Sequence, residues 1–230
     1  MTTCFLFAQY LDEEQCLCLC LDEKARVEAP LLLRPLHEIR ALQLNAKTVV
    51  VLSAEHCSFQ KVALPWLSEG KARAAIPYAL EDQLAQNVAT LHFAFDRQHY
   101  RKNEYLVAVI DKTFLVDLMN RLNRLELNFD TITVDWFALK EKEICITDTG
   151  LLMNTRDFNG ALSGEVGESF LKNVEDKSTL YWFNDSFPAL KIPSSKVIHN
   201  FSSVWIAERL LLNNPMNLCQ GELRHGNRQE

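Results

Sequence analysis

Between Leu64 and Phe95 the chain reads LPWLSEGKARAAIPYALEDQLAQNVATLHFAF, and its apolar period changes within that run. Ala72, Ile76, Leu80, Leu84 and Val88 recur every four residues, which lines one face of a long helix. Ser68 is placed to cap its start, and Glu69 puts negative charge in the first turn, where the helix dipole favours it. Pro77 interrupts the ladder. It has no N–H and crowds the carbonyl of Arg73, so a kink or a late helix start is expected there. Leu91, Phe93 and Phe95 then alternate with His92, Ala94 and Asp96, the period of a strand. Such a run docks a helix on a sheet.

The rest of the chain repeats that alternation. Cys4 to Leu11 and Gln15 to Leu21 read as strands joined by the polar turn Asp12-Glu13-Glu14, a hairpin. Lys47 to Ser53 suits a buried strand, with Phe59 to Leu64 pairing beside it. Glu104 to Ile110 is a further strand. Leu115, Leu118, Met119, Leu122 and Leu125 fall at helical spacing within 112–127. Phe129 to Val134, Glu143 to Thr147, Leu151 to Thr155, Leu180 to Phe183 and Lys196 to Ile198 read as strands. Glu165 to Lys177 and Ser202 to Asn213 read as helices, the latter closed by Asn214-Pro215. This mixture predicts an α/β fold with mixed sheets, and a pattern that restarts near Glu143 predicts two similar halves.

Composition narrows the function. With 230 residues the chain can bury a sizeable core, and 48% hydrophobic with 23% charged residues describes a folded domain. A net charge of -6 argues against nucleic-acid binding, which needs a basic face. The short basic run Arg97 to Lys102 reads as a solvated loop. Seven cysteines, an odd number, without a secretory leader predict free thiols in a reducing compartment. Cys16, Cys18 and Cys20 share one strand face about 7 Å apart, too widely spaced for one metal, and read as buried small hydrophobes. No apolar stretch reaches the roughly 20 residues of a membrane helix. The longest, Phe201 to Cys219, is broken by Glu208, Arg209, Asn213, Asn214 and Pro215.

Three segments, in order, carry a family resemblance. AAIPYALEDQLA from Ala74 to Ala85, followed by Leu91-His92-Phe93-Ala94, resembles the signature of the L protein of bacterial type II secretion systems (GspL family). FLVDLMNRLNRLELNFDTITVDWFAL, ending at Leu139, is similar to that family's helix, strand and D-x-x-A-L segment. Asn217-Leu218-Cys219-Gln220-Gly221-Glu222 resembles its N-L-L-Q-G-E run. One departure is Glu126, where the family favours glycine after the helix, so a different helix end is expected.

The resemblance implies an actin-like (ribonuclease-H-like) fold of two lobes with mixed sheets and an inserted middle domain. The expected units are a first lobe at 1–95, a middle domain at 96–142, a second lobe at 143–200, and a C-terminal helix and juxtamembrane tail at 201–230 that returns to an earlier domain. It also implies a membrane helix beyond the QGE run, and hence a fragment lying on the cytoplasmic face of the bacterial inner membrane. Arg224 and Arg228 suit that face. The implied partners are the N-terminal domain of the secretion ATPase (GspE) and the bitopic inner-membrane protein GspM. Self-association as a homodimer is a further expectation, and no nucleic acid is expected.

Actin-like ATPases hold phosphate in two glycine-containing hairpin turns whose amides approach it closely. Here the first turn, Asp12-Glu13-Glu14-Gln15, has no glycine, hydroxyl or lysine, and its carboxylates repel a nucleotide. The second, Thr147-Asp148-Thr149-Gly150, carries the D-x-G of related proteins, but Leu151-Leu152 follows, and no Gly-Gly pair exists for an adenosine clamp. There is no Cys-x-x-Cys, His-Glu-x-x-His or Gly-x-Ser-x-Gly. Asp135 and Asp148 are the carboxylates a nuclease reading would nominate. No catalytic, cofactor or metal residue is assigned. The expectation is a non-enzymatic scaffold that recruits the secretion ATPase for protein export, with Arg121 and Arg124 on the second helix as partner-binding residues. The alternatives are an active actin-like ATPase and an adaptor of the FtsA or PilM kind.

Overall fold

The computed structural model describes residues 1–171, 178–187 and 195–224. In chain order its elements begin with β1 (Thr2–Phe7), β2 (Gln15–Leu21), β3 (Val27–Pro35), α1 (Leu36–Gln43), β4 (Ala46–Leu52), β5 (Cys57–Ala63) and α2 (Glu69–Leu80). There follow β6 (Leu91–Ala94), β7 (Glu104–Asp111), α3 (Lys112–Arg124), β8 (Thr131–Val134), β9 (Glu143–Ile146) and β10 (Gly150–Asn154). The last are β11 (Asn159–Ser163), α4 (Gly164–Leu171), β12 (Thr179–Trp182), β13 (Lys196–Val197) and α5 (Ser202–Asn213).

The strands form three sheets. The first has the order β3-β2-β1-β4-β8, the second β11-β10-β9-β12-β13, and the third β5-β7-β6. In the first, β1 runs antiparallel to β2 and parallel to β4, and β4 runs parallel to β8. In the second, β9 runs antiparallel to β10 and parallel to β12, which runs parallel to β13. Order and sense are therefore the same in both, the ribonuclease-H-like pattern used twice, and the restart near Glu143 is this repeat. The two lobes are those of the actin-like fold.

The third sheet is the insertion. Ala72, Ile76 and Leu80 of α2 bury completely in one cluster with Val62, Phe93, Tyr105 and Val107. Strand β5 thus pairs with β7, not with β4 as its position suggests. The expected bounds at 95 and 142 cut differently from sheet membership. The third sheet draws on 57–111, whereas α3 packs its Leu115, Leu118 and Leu122 into the core of the first sheet. Strand β9 begins at Glu143.

Several local expectations are corrected. The first strand ends at Phe7, and Ala8–Tyr10 forms one tight helical turn. Helix α2 stops at Leu80, three residues after Pro77. The missing N–H of Pro77 removes the rung to Arg73, and only one turn survives beyond it. Ser68 occupies the cap position, but its carbonyl accepts the Ala72 N–H while its hydroxyl makes no capping bond. The helix expected over 165–177 spans Gly164–Leu171, and 172–177 lie outside the described residues. The register of β1 and β2 sets Cys4 opposite Cys20, with 4.1 Å between their Cα atoms, and the two are joined as a disulfide. Seven free thiols were expected; the free ones are Cys16, Cys18, Cys57, Cys145 and Cys219. That expectation rested on the odd count and the lack of a secretory leader, and took no account of the strand opposite β2.

The end of α3 shows how a non-glycine residue serves a glycine position. Glu126 has φ +55°, its N–H donates to the Asn123 carbonyl, and the Leu127 N–H reaches back to the Leu122 carbonyl. This is the left-handed helix cap that glycine makes without cost. Here a glutamate makes that cap, at the expense of backbone strain. Glu126 lies 3.8 Å from Arg40 and is mostly exposed, so this ion pair offsets little of the strain. Glu126→Gly is expected to raise stability by roughly 0.5–1 kcal/mol, read as a higher urea midpoint at an unchanged slope.

Helix α5 closes the molecule. Val204, Trp205, Ile206, Ala207 and Leu210 are buried in one cluster with residues of the first sheet. Beyond Pro215 the chain lies along β8. The Leu218 N–H donates to the Ile132 carbonyl, the Ile132 N–H to Asn217 Oδ1, and Thr133 Oγ1 to the Met216 carbonyl. The Asn217–Glu222 run is thus a strap that satisfies an otherwise open sheet edge. It also ties to the insertion. His92 Nε2 donates to the Leu218 carbonyl at 2.7 Å, and Gln220 Oε1 accepts from the Phe95 N–H and from Arg73. Burial lowers the His92 pKa, which favours the neutral ring, and the acceptor carbonyl then places its proton on Nε2.

Candidate functional site

The repeat places the β1–β2 turn and the β9–β10 turn at equivalent ends of the two lobes. These are the turns that hold phosphate in an actin-like ATPase. In the first, Asp12 Oδ1 accepts the N–H of Glu14 at 2.7 Å and of Gln15 at 2.8 Å. Those two bonds, the Glu14 one first, hold the Asp12 carboxyl below its ordinary range. The amides that could cradle an anion are therefore satisfied by a carboxylate of the same turn. Glu13 accepts a two-pronged bond from Arg124, at 2.8 Å to each oxygen, and Arg121 Nε stands 3.6 Å away. Arg124 lowers the Glu13 pKa, and Glu13 raises that of Arg124. The two arginines expected to bind a partner are thus brought together, on an internal carboxylate.

In the second turn, Thr147 N–H donates to the Gly150 carbonyl and Thr147 Oγ1 accepts the Gly150 N–H. Glycine is required at 150 because a Cβ there would lie 2.1 Å from the Leu162 carbonyl oxygen. Asp148 is exposed, and one of its oxygens is engaged within the chain. Its Oδ2 accepts the hydroxyl of Tyr10 at 2.7 Å, from the helical turn that ends β1. Burial, then this bond, push the Tyr10 pKa up to about 12, so the hydroxyl stays a donor. The two phosphate positions are thus stitched together by Tyr10.

Asp135 does not join them. It follows β8, is half-buried, and accepts the Ala54 N–H at 2.9 Å. Burial raises its pKa to about 7. Among the described residues no three His, Cys, Asp or Glu side chains are grouped to hold a metal. The joint of the lobes has its polar fixtures elsewhere. Asp185, before the α5 N-terminus, accepts both the N–H and the hydroxyl of Ser202. Arg209 of α5 donates to both oxygens of Glu143, at 2.9 and 3.2 Å, and lies 4.3 Å over the Trp205 ring. Neither Tyr10 nor Arg209 had a sequence signal, because each acts on a residue more than 60 positions away.

Comparison with known proteins agrees with this architecture. The model of the type II secretion system protein L family matches residues 29–225. Type II secretion system protein L of Klebsiella pneumoniae is 33% identical over 90 residues, and that of Dickeya chrysanthemi 31% over 90. Each match covers 39% of this chain and 22% of the relative, so the chain spans well under two thirds of either protein. Among solved structures, the cytoplasmic domain of EpsL, an inner-membrane component of the type II secretion system of Vibrio cholerae, superposes with a TM-score of 0.72. That superposition covers 97% of this chain and all of the other at 16% identity, a likeness of fold. Among the described residues no helix is long and apolar enough to cross a membrane. With the family model matched over most of its length, the chain belongs to the type II secretion system protein L family.

Proposed function

We propose that the chain is the cytoplasmic part of a non-enzymatic scaffold of the inner-membrane platform, which recruits the secretion ATPase to the membrane. The observation that carries this reading is the self-occupied pair of turns. Asp12 takes the amides of one, and Tyr10 takes the carboxylate of the other. A molecule that has filled both phosphate positions with its own groups keeps the rigidity of the actin-like frame without its chemistry. A scaffold holding a cycling ATPase needs an interface of about 1,200–2,000 Å². The Arg121 and Arg124 end of α3 is proposed as part of it. Arg124 is exposed, so Glu13 holds it in place at little energetic cost, and a partner carboxylate could share it.

The purified chain is expected to co-elute on a sizing column with the N-terminal domain of the cognate secretion ATPase at tens of micromolar. Absence of a complex between two folded proteins would remove the recruitment role. Arg121→Glu with Arg124→Glu should weaken the complex without unfolding the domain. Unchanged binding would move the interface elsewhere and leave recruitment intact. An active ATPase would instead show saturable Mg-ATP binding that Asp148→Ala abolishes.

A further inference from the structure

Strands β1 and β4 run parallel, side by side, and both end at a small cavity of about 270 Å³. Ala8 and Gln9 carry the chain from β1 into its lining, and Leu52 and Ser53 bring β4 to it. The carboxyl ends of parallel strands are where open α/β sheets take ligands. Helix α3 supplies the facing side through Phe114, Asp117, Leu118 and Arg121, whose spacing puts them on one helical face. The lining contains no residue of the Asp12–Gln15 or Thr147–Gly150 turn, so the cavity is neither of the two self-filled phosphate positions.

Its floor is apolar. Leu52 and Leu118 are buried there, and the rings of His56 and Phe114, stacked with 4.2 Å between centroids, form a wall. Its formally charged residues are Asp117 and Arg121, of opposite sign and one helical turn apart. That spacing commonly closes into an ion pair. Here Asp117 is exposed and makes neither an ion pair nor a hydrogen bond among the described residues. Arg121 Nε stands 3.6 Å from Glu13 and is buried without a hydrogen bond. The half-buried Ser53 hydroxyl accepts the Glu55 N–H and keeps its own proton to donate. A simple anion in the cavity would be repelled by Asp117, and a simple cation by Arg121. A small dipolar molecule satisfies both. We infer that the cavity binds a free α-amino acid with an apolar side chain. Its ammonium group meets Asp117, its carboxylate meets Arg121 and Ser53, and its side chain lies over Leu52 and Leu118. The volume of about 270 Å³ falls just below the roughly 300–1,000 Å³ of drug-sized pockets, which suits so small a ligand. The inference goes beyond the platform reading and does not depend on it.

Chemical-shift titration of the whole 230-residue chain with L-valine, L-leucine, L-methionine and L-phenylalanine, one at a time, tests the assignment. At least one should saturate with a Kd of about 1 mM or tighter. For the tightest of them, the matched amine and the matched carboxylic acid should each bind about tenfold more weakly or worse, because each lacks one charge-assisted contact. Asp117→Asn should weaken the amino acid about tenfold while leaving the matched carboxylic acid no weaker, since it removes the charge that repels it. Gln9→Trp, at an exposed lining position, should weaken the amino acid by filling the mouth of the cavity. Circular dichroism would check that both variants fold. The complex with the ATPase domain should survive Asp117→Asn, so the two readings stand or fall separately. Three results would each overturn the assignment: no saturable binding of any of the four in the millimolar range, equal binding of the matched amine or acid, or binding that neither variant moves.

Discussion

Arg209→Met is expected to lower the stability of the whole domain by about 3 kcal/mol, the low end for breaking a buried ion pair. Arg209 and Glu143 are 18% and 11% exposed, and two N–H groups of the guanidinium meet both carboxylate oxygens. Removing the cation leaves Glu143 with the Tyr181 hydroxyl and the Lys140 N–H as partners, in a site that has shed most of its water. The damage should be global. Arg209 sits on α5, whose apolar face belongs to the first sheet, while Glu143 and Tyr181 belong to the second. Trp205 continues the same seam, with its ring 4.8 Å from Tyr181 and 5.4 Å from Phe183. A urea melt measures the loss. A change below about 0.5 kcal/mol would show the pair to be incidental. Arg209→Met with Glu143→Leu should lose less than the sum of the single changes, because the double variant strands no charge.

The same pair sets a pH dependence. Burial alone would raise the Glu143 pKa, but the Lys140 N–H, Arg209 and Tyr181 together lower it. A carboxyl depressed in the folded state stabilises fully above its unfolded value, and that stability is lost as pH falls through the folded value. The acid limb of the stability curve should therefore flatten in the Arg209→Met variant.

The sequence carried the fold wherever one element could be judged alone. The span of α5 was legible from Ser202 and Asn214-Pro215 at its two ends. The hairpin of β1 and β2 was legible from the polar turn Asp12-Glu13-Glu14 between apolar runs. What failed depended on partners distant in sequence. Strand β3 carries Pro30 and Pro35, exposes much of its length, and is held by β2 through a shifted register. Its pattern resembles a loop until the neighbour is known. Strand β5 reads as a partner of β4 because it follows it, but Phe59 packs with Trp136 and Phe137 while Val62 joins the α2 cluster. The two turns read as poor phosphate sites from composition. That Asp12 fills one of them, and that Tyr10 pairs with Asp148, required coordinates, since those are bonds of geometry.

Leu80→Ala should be the most damaging truncation in the insertion, at about 2–5 kcal/mol for a buried leucine. Leu80 is fully buried, in the last turn of a helix already weakened by Pro77. Its cluster is separate from the main core and is small enough that neighbours cannot close a cavity cheaply. The strap adds a second consequence. His92 and Phe95, which hold Leu218 and Gln220, lie on or beside β6, against which α2 packs. Loosening the helix should release the strap from the insertion while β8 still holds Leu218 through Ile132. Hydrogen exchange should show this as lost protection in β5, β6 and β7 and at the Phe95 amide, with the amides of β1 and β4 unchanged. Equal loss across both sheets would mean that the insertion and the first lobe unfold as one unit. An undisturbed melt would mean that the α2 stripe adds little to the stability of the insertion.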